Sequence, residues 1–214
     1  MCDVDLEFSS TKEPVTFANR KKFHFQKIRV GEQWSNELFS CAWFHANKNI
    51  DFETKDCYFK FDPDGEGLIF DDNGNPLFGI TNFCCVYDDY SFGRPGKIYL
   101  DLDYYHIEKK LDLWIDAANN DPFGNLLSGK VIASSIVRIK PIFKKVINDI
   151  SFYLDLAVKT ENDEYKCFLL TELEKIFLSI DSNDRFDNLE EVSKQLDKLK
   201  APTDNNFTLY SIGH

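Results

Sequence analysis

The sequence predicts a mainly β protein: an antiparallel β-sandwich followed by a small helical segment. Three observations predict it. Roughly nine short apolar runs follow one another between Lys21 and Phe143, with turn residues between them. No helix-length pattern lies among these runs, which argues against a parallel α/β sheet. After Phe143 the apolar residues change from alternating to helical spacing.

The composition agrees. The 214 residues allow one large domain, or a medium domain with a small appendage. Hydrophobic residues make up 43% and charged residues 29%, so a packed core is expected. The 20 phenylalanines, 9 tyrosines and 3 tryptophans lean towards strands, where aromatic side chains fit the pleated surface. The net charge of -11 and the lack of a basic stripe argue against nucleic acid and anionic membrane as partners. No stretch has the length and apolarity of a membrane span.

Residues 1–20 show no sustained period and read as a loose lead-in. The sandwich is expected over residues 21–143. Its first strand positions are Phe23, Phe25, Ile28 and Val30. Phe39–Ala46, Cys57–Phe61, Gly67–Phe70, Pro76–Ile80 and Phe83–Tyr87 come next, then Lys97–Leu102, Leu111–Ala117 and Val131–Phe143. Asp62–Gly67, Asp71–Pro76, Gly93–Gly96 and Asn119–Asn125 supply the turns. The helical segment is expected over residues 144–200. Val146, Ile150, Tyr153, Leu154, Ala157 and Val158 form one stripe; Phe168, Leu169, Leu173, Ile176, Phe177 and Ile180 form a second. Leu189, Val192, Leu196 and Leu199 form a third, and Ala201-Pro202 stops it. Residues 201–214 read as a linker and one further strand, Phe207–Ile212, which is β-prone and nearly uncharged. Such a strand needs partners on both edges, so the expectation is that a second domain begins here and is missing.

The chemistry-bearing residues do not assemble into a known motif. Asp62, Asp64, Glu66 and Gly67 occupy the first positions of a calcium loop, but Asn73 stands where the bidentate glutamate belongs, and the flanks read as strands. The carboxylate doublets Asp71–Asp72 and Asp88–Asp89 point to opposite faces of a strand, whereas Asp101 and Asp103 share one. His24, His45, His106 and His214 form no pair at metal spacing. Cys2, Cys41, Cys57, Cys84, Cys85 and Cys167 form no C-x-x-C pair, and nothing places a histidine beside Cys84 or Cys85. The opening MCDVDLEFSS has neither a basic segment nor an apolar run, so it does not read as a secretory signal. With six cysteines this suggests a reducing, cytoplasmic setting. The sequon Asn206-Phe207-Thr208 therefore reads as a chance tripeptide. Trp43 and Trp114 sit in strand patterns and read as core, whereas Trp34 lies in a loop-like stretch and is the best candidate for a sugar-stacking platform.

Gly31-Glu-Gln-Trp34 with Cys41-Ala-Trp43-Phe44, Asp64–Asn82, Leu111–Asn119 with Phe123-Gly124, and Ser151–Ala157, in this order, resemble one family, the family 38 α-mannosidases, in their cytosolic, vacuolar and bacterial branch. The end of the chain, Leu209-Tyr-Ser-Ile-Gly-His214, is similar to the strand that opens the family's catalytic barrel and leads into a metal-binding His-x-Asp pair. The resemblance implies a sandwich of jelly-roll or galactose-binding-like kind, acting as the amino-terminal non-catalytic region of an enzyme that hydrolyses terminal α-mannosides in glycan catabolism. It implies that the chain stops just before the catalytic barrel, so that no catalytic residue and no metal ligand lies in this stretch. The ligands would come just beyond His214, for a divalent metal, zinc, in the full-length enzyme. Its implied partners are that barrel, mannose-containing glycans and further subunits of a homo-oligomer. A vacuolar or lysosomal location is the alternative to the cytoplasm. A free-standing carbohydrate- or protein-binding sandwich is the alternative function.

Overall fold

A computed structural model describes residues 2–81, 86–87, 90–91, 97–121, 124–180 and 186–199. The chain divides into two compact units, Met1–Ile139 and Lys140–His214. The first holds twelve strands. They are β1 (Cys2–Asp3), β2 (Asp5–Thr11), β3 (Gln26–Lys27), β4 (Cys41–Asn49), β5 (Cys57–Asp62) and β6 (Glu66–Phe70), then β7 (Pro76–Thr81), β8 (Val86–Tyr87), β9 (Tyr90–Ser91), β10 (Tyr99–Asp101), β11 (Lys110–Ala118) and β12 (Ala133–Arg138).

Every described pairing is antiparallel. One sheet runs β1-β12-β5-β10 and the other β3-β2-β4-β11-β6-β7, and among the described residues β8 and β9 form a separate pair. Along β4 and β11 the residues Ala42, Phe44, Ala46, Leu111, Leu113 and Ile115 all point into one core, as the two-residue period of a strand requires. Phe59, Phe61, Leu100 and Ile136 meet them from the four-stranded sheet. The Phe44 and Phe61 rings touch edge to face, 5.4 Å apart, across the space between the sheets. Each fully buried side chain of this size contributes about 1.5–3 kcal/mol.

The outer face of the six-stranded sheet is also covered. Residues 15–25 cross it as a third layer, including a 3-10 helix over Phe17–Lys22. Trp43 Nε1 donates to the Val15 carbonyl at 2.9 Å, and Phe17 packs on both Trp43 and Phe70. The Arg20 guanidinium lies 3.3 Å from the Phe17 ring centre and 4.2 Å from that of Trp114. Phe25 then meets Trp114 edge-on. Gly74, at φ +90, closes the β6–β7 turn, and a Cβ there would strike the Phe17 ring at 2.7 Å.

The second unit is helical: α1 (Pro141–Lys159), α2 (Asp163–Ser179) and α3 (Leu189–Leu196). Pro141 opens α1, and Lys140 before it is extended, as the proline ring demands. Asn162 caps α2 by accepting the Tyr165 amide at 2.9 Å, with Asp163 and Glu164 in the first turn favouring the helix dipole. Val146, Leu173, Ile176, Val192 and Leu196 share one small core.

Three sequence expectations need correction. Residues 1–20 are not a loose lead-in: β2 pairs with β4 over seven residues, and Val4, Leu6 and Phe8 enter the main core. Phe23 to Val30 give only the two-residue β3, because Phe25 is used on the outer face while Ile28 turns into the core. The strand expected over Val131–Phe143 ends at Arg138, and the helical segment expected from residue 144 already begins at Pro141. Phe207–Ile212 lies outside the described residues.

Candidate functional site

The edge of the sandwich where β1, β2 and β3 come together forms a cleft of about 710 Å3. Register explains which side chains reach it. Lys27 on β3, Glu7 on β2, His45 on β4 and Trp114 on β11 are cross-strand neighbours in one row. Asp5 and Asn47 pair in the adjacent row, next to Asp112. Lys27, Glu7, His45, Asp5 and Asn47 all line the cleft. Asp3 and Arg29 add charged groups and Val30 an exposed apolar one, while Leu6 and Ile28 turn their side chains into the core.

His45 is held from two sides. Its ring stacks on Trp114, with centres 4.2 Å apart and planes 11° apart. Its Nε2 lies 2.8 Å from Asp112 Oδ1. Burial pushes the Asp112 carboxyl up, but hydrogen bonds from Lys110 and His45, together with their charges, outweigh it and hold the group below the usual carboxylate value. Asp112 thus accepts from Lys110 and lies within hydrogen-bond reach of the His45 ring.

On the same outer face, Asp116 stands opposite Trp43 and Leu68. Burial pushes its carboxyl up to about 6. Burial also pushes the Cys41 thiol up, and the nearby Asp116 adds to the effect.

The sequence-derived candidates scatter. Trp34 is not a platform. It is 4% exposed, donates Nε1 to the Pro63 carbonyl at 2.7 Å and packs edge-on against Phe44. A stacked sugar would need the face that this core contact occupies. Asp62 and Asp64 are spent on the chain: Asp62 accepts the Asp64 amide and Asp64 accepts the Ser128 amide. Asp71 folds its own turn by accepting the Asn73 and Asn75 amides, while Asp72 accepts from Trp114 Nε1 and faces Arg20 and Lys21. Asp101 accepts the amides of Asp103 and Tyr104, so that pair is a turn rather than two facing acids. His24 and His106 are exposed, and Cys84, Cys85, Asp88, Asp89 and His214 lie outside the described residues. Among the described residues no group of three or more His, Cys, Asp or Glu side chains could hold a metal ion. No described helix is long and apolar enough to cross a membrane.

Sequence reasoning missed the cleft. The alternation Val4-Asp5-Leu6-Glu7-Phe8 was the available signal, because it places Asp5 and Glu7 together on one face of a strand.

The sequence profile of one family, described as "Alpha-mannosidase, jelly roll domain", matches residues 2–172. The match takes in β1 and β2, the whole of the two sheets, α1 and part of α2. No curated protein matches the chain.

Proposed function

Since the chain belongs to the α-mannosidase jelly-roll family, we propose that it is the amino-terminal, non-catalytic region of a family 38 α-mannosidase. The observation that carries this reading is the extent of the match, which spans four-fifths of the chain and follows the sandwich from its first strand. The intact enzyme would hydrolyse terminal α-mannosides during catabolism of free oligosaccharides and N-glycans in the cytoplasm. Its barrel would carry the nucleophile, the acid/base and a divalent metal, zinc, that holds sugar hydroxyls. The sandwich would pack beside that barrel and present a rigid surface to it.

The test compares residues 1–214 with a longer chain translated from the coding sequence that follows His214. The longer chain is expected to bind a divalent metal and to release the aryl group from an aryl α-mannoside, and residues 1–214 to do neither. A longer chain that binds metal yet leaves α-mannosides intact would remove the reaction assignment.

A further inference from the structure

We propose that Leu38, Phe39 and Leu126 form a docking surface for the catalytic region, and this choice of partner rests on the α-mannosidase reading. The backbone comes first. Phe39 stands at φ +58, in the left-handed region. A bulky side chain there is a strained exception, and such strain persists only where the surrounding structure fixes it. Several groups fix it here. β4 and β11 pair as far as Cys41 and Ala118. Beyond that pair the Asn119 amide donates to the Ser40 carbonyl at 2.9 Å, and the Phe39 amide donates to the Asn119 carbonyl at 3.4 Å. Asn119 is fully buried, and its Nδ2 donates to Ser35 Oγ. The Ser40 hydroxyl donates to the Glu37 carbonyl at 2.8 Å. Gly124, at φ +79, leaves room for the ring, since a Cβ there would lie 3.3 Å from Phe39 Cζ. The fold thus accepts strain to hold an aromatic side chain that is 57% exposed.

The neighbouring side chains indicate what the ring meets. Leu38 and Leu126 are exposed as well, and Leu126 lies two residues beyond Gly124. Residues 35–41 carry one charged side chain, Glu37, and residues 124–129 carry none, in a chain that is 29% charged. Exposed apolar groups in a charge-poor stretch fit the centre of a lasting protein interface, where aromatic residues are enriched and charged ones depleted. Nucleic acid or an anionic membrane would need Lys or Arg, and neither stretch has one. A second copy of the chain fits less well. In a two-fold contact the same patch must supply both the ring and its socket. Leu38, Phe39 and Leu126 line neither the cleft at β2 and β3 nor the cavities bordered by Cys2 and Arg138 and by Phe52 and Asp103. Seating the ring in one of those cavities on another copy would be a head-to-tail contact, which builds rings or open chains. A further region of the same polypeptide has neither constraint, and its tether keeps it at high effective concentration. The Phe39 backbone is already set, so docking does not have to order it.

The experiment compares hydrogen exchange in residues 1–214 with that in the longer chain translated past His214. The amides of residues 36–40 and 124–127 are expected to exchange about tenfold more slowly, or slower still, in the longer chain. Phe39→Gly removes both the ring and the strain. It is expected to leave residues 1–214 at least as stable to heat, and to abolish the added protection in the longer chain. Phe39→Asn, which is polar and tolerates the same backbone, is expected to act in the same way. Equal exchange in the two chains overturns the proposal, as does protection that survives both substitutions. A melting temperature of residues 1–214 that falls with Phe39→Gly makes the ring part of the core and overturns it too. So does concentration-dependent association of residues 1–214 that either substitution removes, because the partner is then a second copy. Should both variants fail to fold, the exchange comparison between the unsubstituted chains decides. Hydrolysis of aryl α-mannosides judges the accessory-region reading separately. A longer chain that is active but leaves this loop unprotected loses the docking surface alone.

Discussion

Along β11, Leu111, Leu113 and Ile115 are hidden from water, and even the outward Trp114 is covered by Arg20 and Phe25. Along α1 and α2 the outcome differs. Val146 and Leu173 are buried, but Val158 is 72%, Phe177 69% and Leu178 76% exposed. A sheet presents two faces, and here a second sheet closes one while residues 15–25 close the other. Each helix buries the stripe that the other two can reach, and α3 is only eight residues long. Among the described residues the central strands are thus covered on both faces, while the helices keep large apolar side chains exposed.

The sharpest way to break this contrast is to remove bulk from the sandwich core. Phe44→Ala empties a position touched by Phe8, Trp34 and Phe61, and is expected to cost about 3–5 kcal/mol in guanidinium denaturation. A loss under about 1 kcal/mol would mean that the two sheets do not share one tight core.

Backbone fit comes next. Gly129 sits at φ +61, and a Cβ there would lie 2.1 Å from the Ser35 carbonyl oxygen. Gly129→Ala is expected to destabilise the chain by about 2–3 kcal/mol in the same measurement. It would also pull the 31–35 segment, with Trp34, away from the core, since Gly129 accepts the Trp34 amide at 2.8 Å.

Asp116 sharpens the comparison in the opposite direction, because partial burial has raised the cost of its charge. The folded chain holds this proton up to about pH 6, whereas an unfolded carboxyl releases it near 3.9. The associated stability is fully present below the unfolded value and is lost as pH rises through about 6. Asp116→Asn is thus expected to gain about 1–2 kcal/mol at neutral pH, allowing for the water that still reaches the group. The gain should vanish near pH 4, a dependence that calorimetric melts at the two pH values would read directly. An equal gain at both would assign the effect to packing.

The smallest effect is expected on the exposed helical surface. Val158→Lys and Leu178→Lys should each change stability by no more than about 0.5 kcal/mol. Leu196→Ala, in the buried stripe of α3, should cost about 2–5 kcal/mol. A large loss from Val158→Lys would show that its face is covered in solution.

β4, β5, β7, β11 and the three described helices were legible in the sequence because their signals are local, whereas the seven-residue β2 was not. β5, β7 and β11 fall where alternating apolar residues lie between Gly, Pro, Asn and Asp turns, and each helix begins close to its expected start. What could not be read locally depends on partners far along the chain. Trp34 sits among Gly, Glu, Gln and Ser, and nothing nearby says that the Pro63 carbonyl awaits its indole nitrogen. Phe25 and Ile28 look like one strand but serve opposite faces of the sheet. The helical stripes were drawn too wide: Leu154, Val158, Phe168 and Phe177 have the right spacing, yet among the described residues they remain exposed. Of the candidate site, only the Asp5 and Glu7 alternation was visible. The role of His45 required the β4–β11 register, which brings Trp114 beside it and Asp112 within reach.

The placement of the indoles has a practical consequence. All three, at positions 34, 43 and 114, belong to the first unit, and the helices carry none. Tryptophan emission will therefore follow the melting of the sandwich and stay silent about the helices, while helical circular dichroism will follow α1 to α3. Two optical curves from one sample can then tell whether the units come apart together or in turn.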